Sequence, residues 1–480
     1  MKKIILFLLI FIIAAGSSVS VYAAGGTVPY VNYTYSEADG SVVTGPQAYI
    51  PKTVVYGNTL GIGEFSYPTD IDADAQGDIY LLDAGNSRIV VIDKDLNYKT
   101  QFKCEVDGKA VDLSAAQGLT VTDESVYICD TDKSRVLIYS KSDAALKQIV
   151  NAPKSYALDD DFIFKPVRIS VDAKGDMYIV SSGTYEGVIN LKPNGDFVTF
   201  FAANKVTSDA WDLFWRNFST KKQRKTMTQL IPQDFASIDI DRQGFMLIST
   251  YTPVNNSMVK RVNSGGSNVI RSLSSVNIVG DGAKNSSFSD ISSGPDKIFA
   301  CLDKKTGRIF CYNHDGYLLY TFGAIAAQNG GFKNPVSLTY LDDYRIAVLD
   351  TDRASFTVFN TTEYADIIHK ATKFGNELNY DEASENWKKV LEMNSNFSLA
   401  LKMIGNRYYE AGDYETAKQY FKQCDSKELY SNARREIRSN WIYKNAWIVM
   451  LVILLIAVVS VGLKIHDYSK EKKSKQTFKN

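Results

Sequence analysis

The sequence predicts a mainly β protein with a smaller α part: a six-bladed β-propeller, then a short helical array and one transmembrane helix. Three observations predict this. A β-hairpin pattern returns about every fifty residues to make six units, a helical pattern later repeats at a spacing of 34 residues, and an uncharged apolar run of 18 residues lies near the C-terminus. Fifty residues hold three or four short strands with tight turns, and such hairpins bury their surface only by stacking on one another.

At the N-terminus, Met1, Lys2 and Lys3 form a basic start to an apolar run over residues 4–15, and Val21, Tyr22 and Ala23 offer a cleavage point. Residues 1–23 therefore read as an export signal, excluded from the fold and too short to span a bilayer comfortably. Within residues 24–52, alternating Val31, Tyr33 and Tyr35 ahead of Ala38-Asp39-Gly40 predict a peripheral hairpin.

The propeller is expected over residues 53–360, organised on the stretch GDIYLLDAGNSRIVVID at residues 77–93. Its two apolar runs flank turn residues, which suits strands covered on both faces. Asp83 and Arg88 stand five apart, as do Asp130 and Arg135, and Asp303 and Arg308. A looser copy follows Asp350. Ahead of each hairpin runs an earlier strand, opened by Pro68, Ala116, Pro166, Phe235, Phe288 and Pro335 in turn. The third and fourth units lack the Asp and Arg and rest on strand pattern alone. Since no blade precedes Lys52, Thr53 to Tyr56 are expected to supply the outer strand of the sixth blade, closing the ring and removing a free sheet edge.

One insertion interrupts the β pattern at residues 209–227. Trp211, Phe214, Trp215 and Phe218 share one helical face, and Lys221, Lys222, Arg224 and Lys225 follow. Packing on the propeller is the simpler reading of this helix. A partner- or membrane-contacting element is the sharper one, and stacking of the aromatics on sugar rings ranks last.

From residue 364 to 444 the pattern is helical. Ile367 matches Leu401, Ala371 matches Gly405, Phe374 matches Tyr408, Tyr380 matches Tyr414, Ala383 matches Ala417 and Trp387 matches Phe421. Small residues let paired helices approach, the aromatics fill between them, and the stretch up to Lys444 reads as a capping helix. Residues 446–463 would span about 27 Å as a helix, enough to cross a hydrocarbon core. Trp441, Tyr443 and Trp447 stand where an aromatic belt belongs, and the tail at 464–480 is rich in lysine. Positive-inside places that tail in the cytoplasm and the propeller outside, a single-pass cell-membrane protein.

Composition narrows the function. The chain has 54 basic and 54 acidic residues among 480, so the charge excess that nucleic-acid binding requires is missing. Five cysteines without CxxC spacing imply neither a disulfide framework nor a zinc site, and Cys301 and Cys311 read as small buried residues before a bonded pair. The three histidines, His314, His369 and His466, lie in different parts of the predicted fold, which leaves histidine-based metal or triad chemistry without support. No phosphate-binding Gly-rich loop or GxSxG elbow occurs. The repeated Asp and Arg residues are expected to cap turns and pair locally.

The Pro-opened strand and Asp-turn-Arg hairpin resemble the NHL-repeat family of β-propellers, and the later repeat resembles tetratricopeptide repeats. Together they look like exported bacterial propeller-tetratricopeptide proteins found near sugar-type ABC transporters. The resemblance implies a non-enzymatic, membrane-anchored extracytoplasmic scaffold with protein partners in a membrane complex, such as an ABC transporter or envelope assembly, and no cofactor. It also implies an alternative, a lactonase-like hydrolase or lyase holding a divalent metal in the propeller channel; a carbohydrate-binding sensor, with Trp211 and Trp215 of the insertion on the sugar, is a third reading.

Overall fold

The computed structural model describes residues 28–36, 39–155, 158, 162–184, 186–202, 235–254, 257–270, 278–282, 284–341 and 343–477. Six antiparallel meanders are arranged as a six-bladed propeller. The first blade runs through Asp70–Ala73, Ile79–Asp83, Arg88–Ile92 and Tyr98–Lys103. The second has Gly118–Val121, Ser125–Asp130, Arg135–Ser140 and Leu146–Asn151, and the third Pro166–Val171, Met177–Ser181, Val188–Leu191 and Phe197–Phe201. In the fourth, three strands are described: Phe235–Ile240, Met246–Val254 and Ser257–Val262. The fifth is built from Phe288–Ser293, Phe299–Asp303, Arg308–Tyr312 and Leu318–Phe322. Inner strands of successive blades lie side by side around an axis, and that of the sixth blade meets that of the first. The middle strands are buried on both faces, as their unbroken apolar runs require.

Closure is made by two distant segments. The sixth blade takes Pro335–Tyr340, Ile346–Asp350 and Ser355–Thr361 from the end of the propeller, and its outer strand, Tyr49–Tyr56, from the start. Val55 pairs with Phe356 and Tyr49 with Thr361, so this strand begins four residues before Thr53. Tyr49 is fully buried, which is why pairing extends to it. A small hairpin, Asn32–Tyr35 with Val42–Gly45, packs on the outer strand of the fifth blade, where Thr321 N donates to Asn32 Oδ1 at 2.9 Å.

Six helices follow: α1 Glu363–Asn376, α2 Tyr380–Met393, α3 Ser398–Glu410, α4 Tyr414–Gln423, α5 Lys427–Lys444 and α6 Ala446–Thr477. Helix α1 packs on α2 and α3 on α4. Gly405 lies so close to α4 that a Cβ there would come 2.6 Å from Phe421 Cε1. One core runs without a break from the propeller into the helices, through Tyr49, Tyr320, Phe322, Phe359, Tyr364, Ile368, Trp387 and Phe397. A fully buried ring of this kind contributes about 1.5–3 kcal/mol, so the seam holds the two parts as one body. Within α6, Ala446–Lys470 is long and apolar enough to cross a membrane, and none of its apolar window is buried. The five cysteines are buried, and none forms a disulfide among the described residues.

Candidate binding surfaces: the channel and the blade-helix groove

The repeated Asp residues have a structural task. Asp83 accepts from Ser66 N at 2.6 Å, from Arg88 Nε at 2.6 Å and from Asn86 Nδ2 at 2.8 Å. It thereby ties the hairpin turn to the segment entering its own blade. Asp303 does the same through Ser287 N at 2.9 Å, and Asp350 through Lys333 N at 2.6 Å. Arg135 pairs with Asp130 at 2.8 Å. Arg308 departs from the expected local pairing: although it stands opposite Asp303 in the ladder, its Nη1 reaches Asp281 at 2.8 Å and the Tyr33 hydroxyl at 2.9 Å. The N-terminal hairpin supplies a competing acceptor, which local spacing could not foretell. In the fourth blade the charge pair has moved, with Arg261 Nη2 2.6 Å from Asp241 and its guanidinium 3.9 Å from the Phe245 ring centroid.

The channel is lined by two polar layers that the inner strands supply at alternate positions. One layer holds Asp70, Gly118, Arg168, Ser237, Asp290 and Ser337, the other Asp72, Thr120, Ser170, Asp239, Ser292 and Thr339. Alternation puts both on the axial face, while Ile71, Leu119, Ile169, Ile238, Ile291 and Leu338 point back into the sheets. Each carboxylate bonds across to a neighbouring blade. Asp70 accepts from Leu119 N at 2.7 Å and Ser337 Oγ at 2.6 Å, and Asp290 from Leu338 N at 2.8 Å and Ser237 Oγ at 2.6 Å. Asp72 accepts from Val121 N at 2.9 Å, and Asp239 from Ser293 N at 2.6 Å. Arg168 sits between Asp70 and Asp290, 3.8 Å from the latter, and donates to the carbonyls of Val167, Gln117 and Val336. Burial opposes its charge, yet those two carboxylates more than offset that and hold it protonated.

Burial raises the channel acids. Asp72 is pushed up to about 7 by desolvation and then by the charge of Asp239, against the pull of its N–H donors. Asp239 is pushed up to about 6, again mainly by desolvation. Asp70 is raised by the same cause.

These residues do not fit a divalent cation. Both oxygens of each of the four carboxylates already accept from N–H or O–H groups, and a guanidinium occupies the space between two of them. Among the described residues no group of three or more His, Cys, Asp or Glu is placed to hold a metal ion. One channel mouth forms a cavity of about 480 Å³ bordered by Tyr67, Arg168, Tyr251 and Lys304, and the other one of about 230 Å³ bordered by Asp72, Asp239 and Arg242.

A second concave surface lies between the propeller and the helices. This groove, of about 380 Å³, is walled by Trp387, Asn406 and Arg407 on the helical side and by Lys297, Asn313 and His314 from the fifth blade. Its floor includes Thr372, a buried residue whose hydroxyl has no partner among the described residues. The histidines are dispersed: His314 borders this groove, His369 is buried in α1 and His466 lies in α6. Sequence reasoning missed the channel layers and the groove, although the polar layers are visible once the six inner strands are aligned. The insertion carrying Trp211, Phe214, Trp215, Phe218, Lys221, Lys222, Arg224 and Lys225 lies outside the described residues.

Comparison with known proteins finds the NHL repeat family model matching residues 65–92, the opening of the first blade. No curated protein matches the sequence. Among solved structures, a streptogramin B lyase aligns over 62% of this chain and 94% of its own, at 10% identity and a TM-score of 0.39. A virginiamycin B lyase from Staphylococcus aureus aligns over 67% and 85%, at 10% identity and a TM-score of 0.38. A Kuenenia stuttgartiensis hydrazine synthase aligns over 66% and 99%, at 10% identity and a TM-score of 0.36.

Proposed function

We propose that this protein is a membrane-anchored extracytoplasmic scaffold, an accessory component of a membrane complex such as an ABC transporter or envelope assembly. The observation that carries this reading is the single core joining the fifth and sixth blades to α1–α3, which fixes the groove between them as a preformed surface. The channel points the same way, because its charged groups are engaged in holding blade to blade.

The 34-residue repeat maps onto the pairs α1/α2 and α3/α4, supporting two tetratricopeptide repeats capped by α5. The exposed apolar part of α6 supports a single-pass anchor, with residues 1–23 as the export signal and the lysine-rich tail in the cytoplasm.

Crosslinking and pull-down of the full chain from native membranes tests the reading, alongside a groove variant, Tyr380→Ala with Asn406→Ala, and a chain lacking residues 209–227. The expected result is a specific membrane complex captured by the natural chain and lost in one of the two variants. A chain that runs alone, and that hydrolyses lactones in a chelator-sensitive way, would overturn the scaffold in favour of a propeller hydrolase.

A further inference from the structure

Helix α5 touches the rest of the array along one narrow edge. Ala433 is its one buried residue, with Leu429 and Tyr430 packed around it against Ala417 and Phe421 of α4. On the opposite side, Lys427, Ser431, Arg434, Arg438, Trp441 and Asn445 succeed one another in alternating steps of four and three, flanked by Arg435 and Ile442. At 3.6 residues per turn they form one stripe, and all but Asn445 are exposed.

The stripe carries three cations, Lys427, Arg434 and Arg438, and no carboxylate; Glu428 lies on the Arg435 flank and Glu436 further round the helix. Arg434 and Arg438 make no ion pair among the described residues, and Arg435 comes only within 3.9 Å of Glu436. At its C-terminal end Trp441 is 58% and Ile442 49% exposed, and α6 starts two residues beyond α5, at Ala446. A helix facing water gains nothing from an uncovered Trp and Ile. A helix lying against lipid headgroups can bury both at the interface while its guanidinium groups meet phosphates.

We propose that this face of α5 is a docking surface for anionic phospholipid headgroups of the membrane that holds α6. Charge complementarity and direct continuity with the apolar helix select lipid over a protein occupant. The inference rests on the reading of α6 as a membrane span. It ties the helical array to the bilayer surface and so limits how far the groove can swing from the membrane.

The test uses the full chain and an Arg434→Gln/Arg435→Gln/Arg438→Gln variant, each reconstituted in nanodiscs of phosphatidylcholine and of equimolar phosphatidylcholine and phosphatidylglycerol. Retained lipid is identified by native mass spectrometry. The substituted side chains are exposed, and circular dichroism confirms that the variant is folded. The natural chain should retain phosphatidylglycerol preferentially, and the variant should lose that preference on the order of tenfold or more, because each basic residue near an anionic surface contributes roughly fivefold. Equal retention of both lipids by the natural chain, or an unchanged preference in the variant, would overturn the docking surface while leaving the span intact. Failure of the chain to enter either nanodisc would instead remove the span, and the docking surface with it.

Discussion

The Tyr320 hydroxyl lies 2.6 Å from His369 Nε2, joining the outer strand of the fifth blade to α1 across a seam closed to water. The Tyr344 ring stacks on the imidazole at 3.9 Å between centroids. Since His369 Nδ1 has no partner among the described residues, this is the ring's one hydrogen bond among them. Tyr320→Phe should therefore leave a buried nitrogen unpaired and cost about 1–3 kcal/mol, read as a lower urea midpoint. An unchanged midpoint would show that the seam does not depend on it.

Stability should decline as pH rises from about 4 to 7. Asp72 and Asp239 bind protons more tightly in the folded chain, at about 7 and about 6, than in the unfolded one, so the stability they contribute at low pH is lost through those values. His369 acts in the opposite sense. Burial lowers it to about 3, so the unfolded chain takes up its proton first and stability falls as pH drops below 6.5. At full titration Asp72 corresponds to about 4 kcal/mol and Asp239 to about 3, against about 5 for His369, so the carboxylate side outweighs the histidine. Urea midpoints between pH 4 and 8 should show the decline, and Asp72→Asn should flatten it.

Arg308→Ala should free the N-terminal hairpin before it unfolds the ring. The guanidinium is half-buried and partly screened, so the expected loss is about 1 kcal/mol. Hydrogen exchange at Asn32–Tyr35 should accelerate while exchange in the first blade stays unchanged.

Removal of Tyr49–Tyr56 should expose the edge of Ser355–Thr361 along a row of unpaired backbone groups. Light scattering of the chain lacking this strand and α6 should report oligomers. A monomer with an undiminished melting temperature would mean that closure is dispensable.

Gly405→Ala should destabilise the helical array by about 1–3 kcal/mol, because the added methyl meets the Phe421 ring at 2.6 Å. Combining it with Phe421→Leu should recover part of the loss.

Much of the architecture was legible in the residues. The Asp-turn-Arg hairpins at Asp83 and Asp130 announced blades because turn chemistry acts within a few residues. The six inner-strand openings counted them, and the missing blade ahead of Lys52 implied a donated strand. The pairing of Arg308 was not legible, since its acceptor lies 27 residues back and the Tyr33 hydroxyl 275. Nor was the fourth blade's Asp241–Arg261 pair, which joins a turn to a strand 20 residues on instead of spanning one hairpin.

The sequence by itself determined the period, the strand polarity and the order of parts, because each follows from hydrophobic alternation and turn residues acting over short range. Only the tertiary structure decided what those parts do together. Asp70, Arg168 and Asp290 are separate residues of three inner strands until the ring closes, when they become one compensated group whose charges no longer face outward. Tyr49, Tyr320 and Tyr364 likewise read as isolated aromatics until the blades and helices share a core. Burial and charge compensation depend on every element that surrounds a side chain, and those neighbours are set by the closed fold.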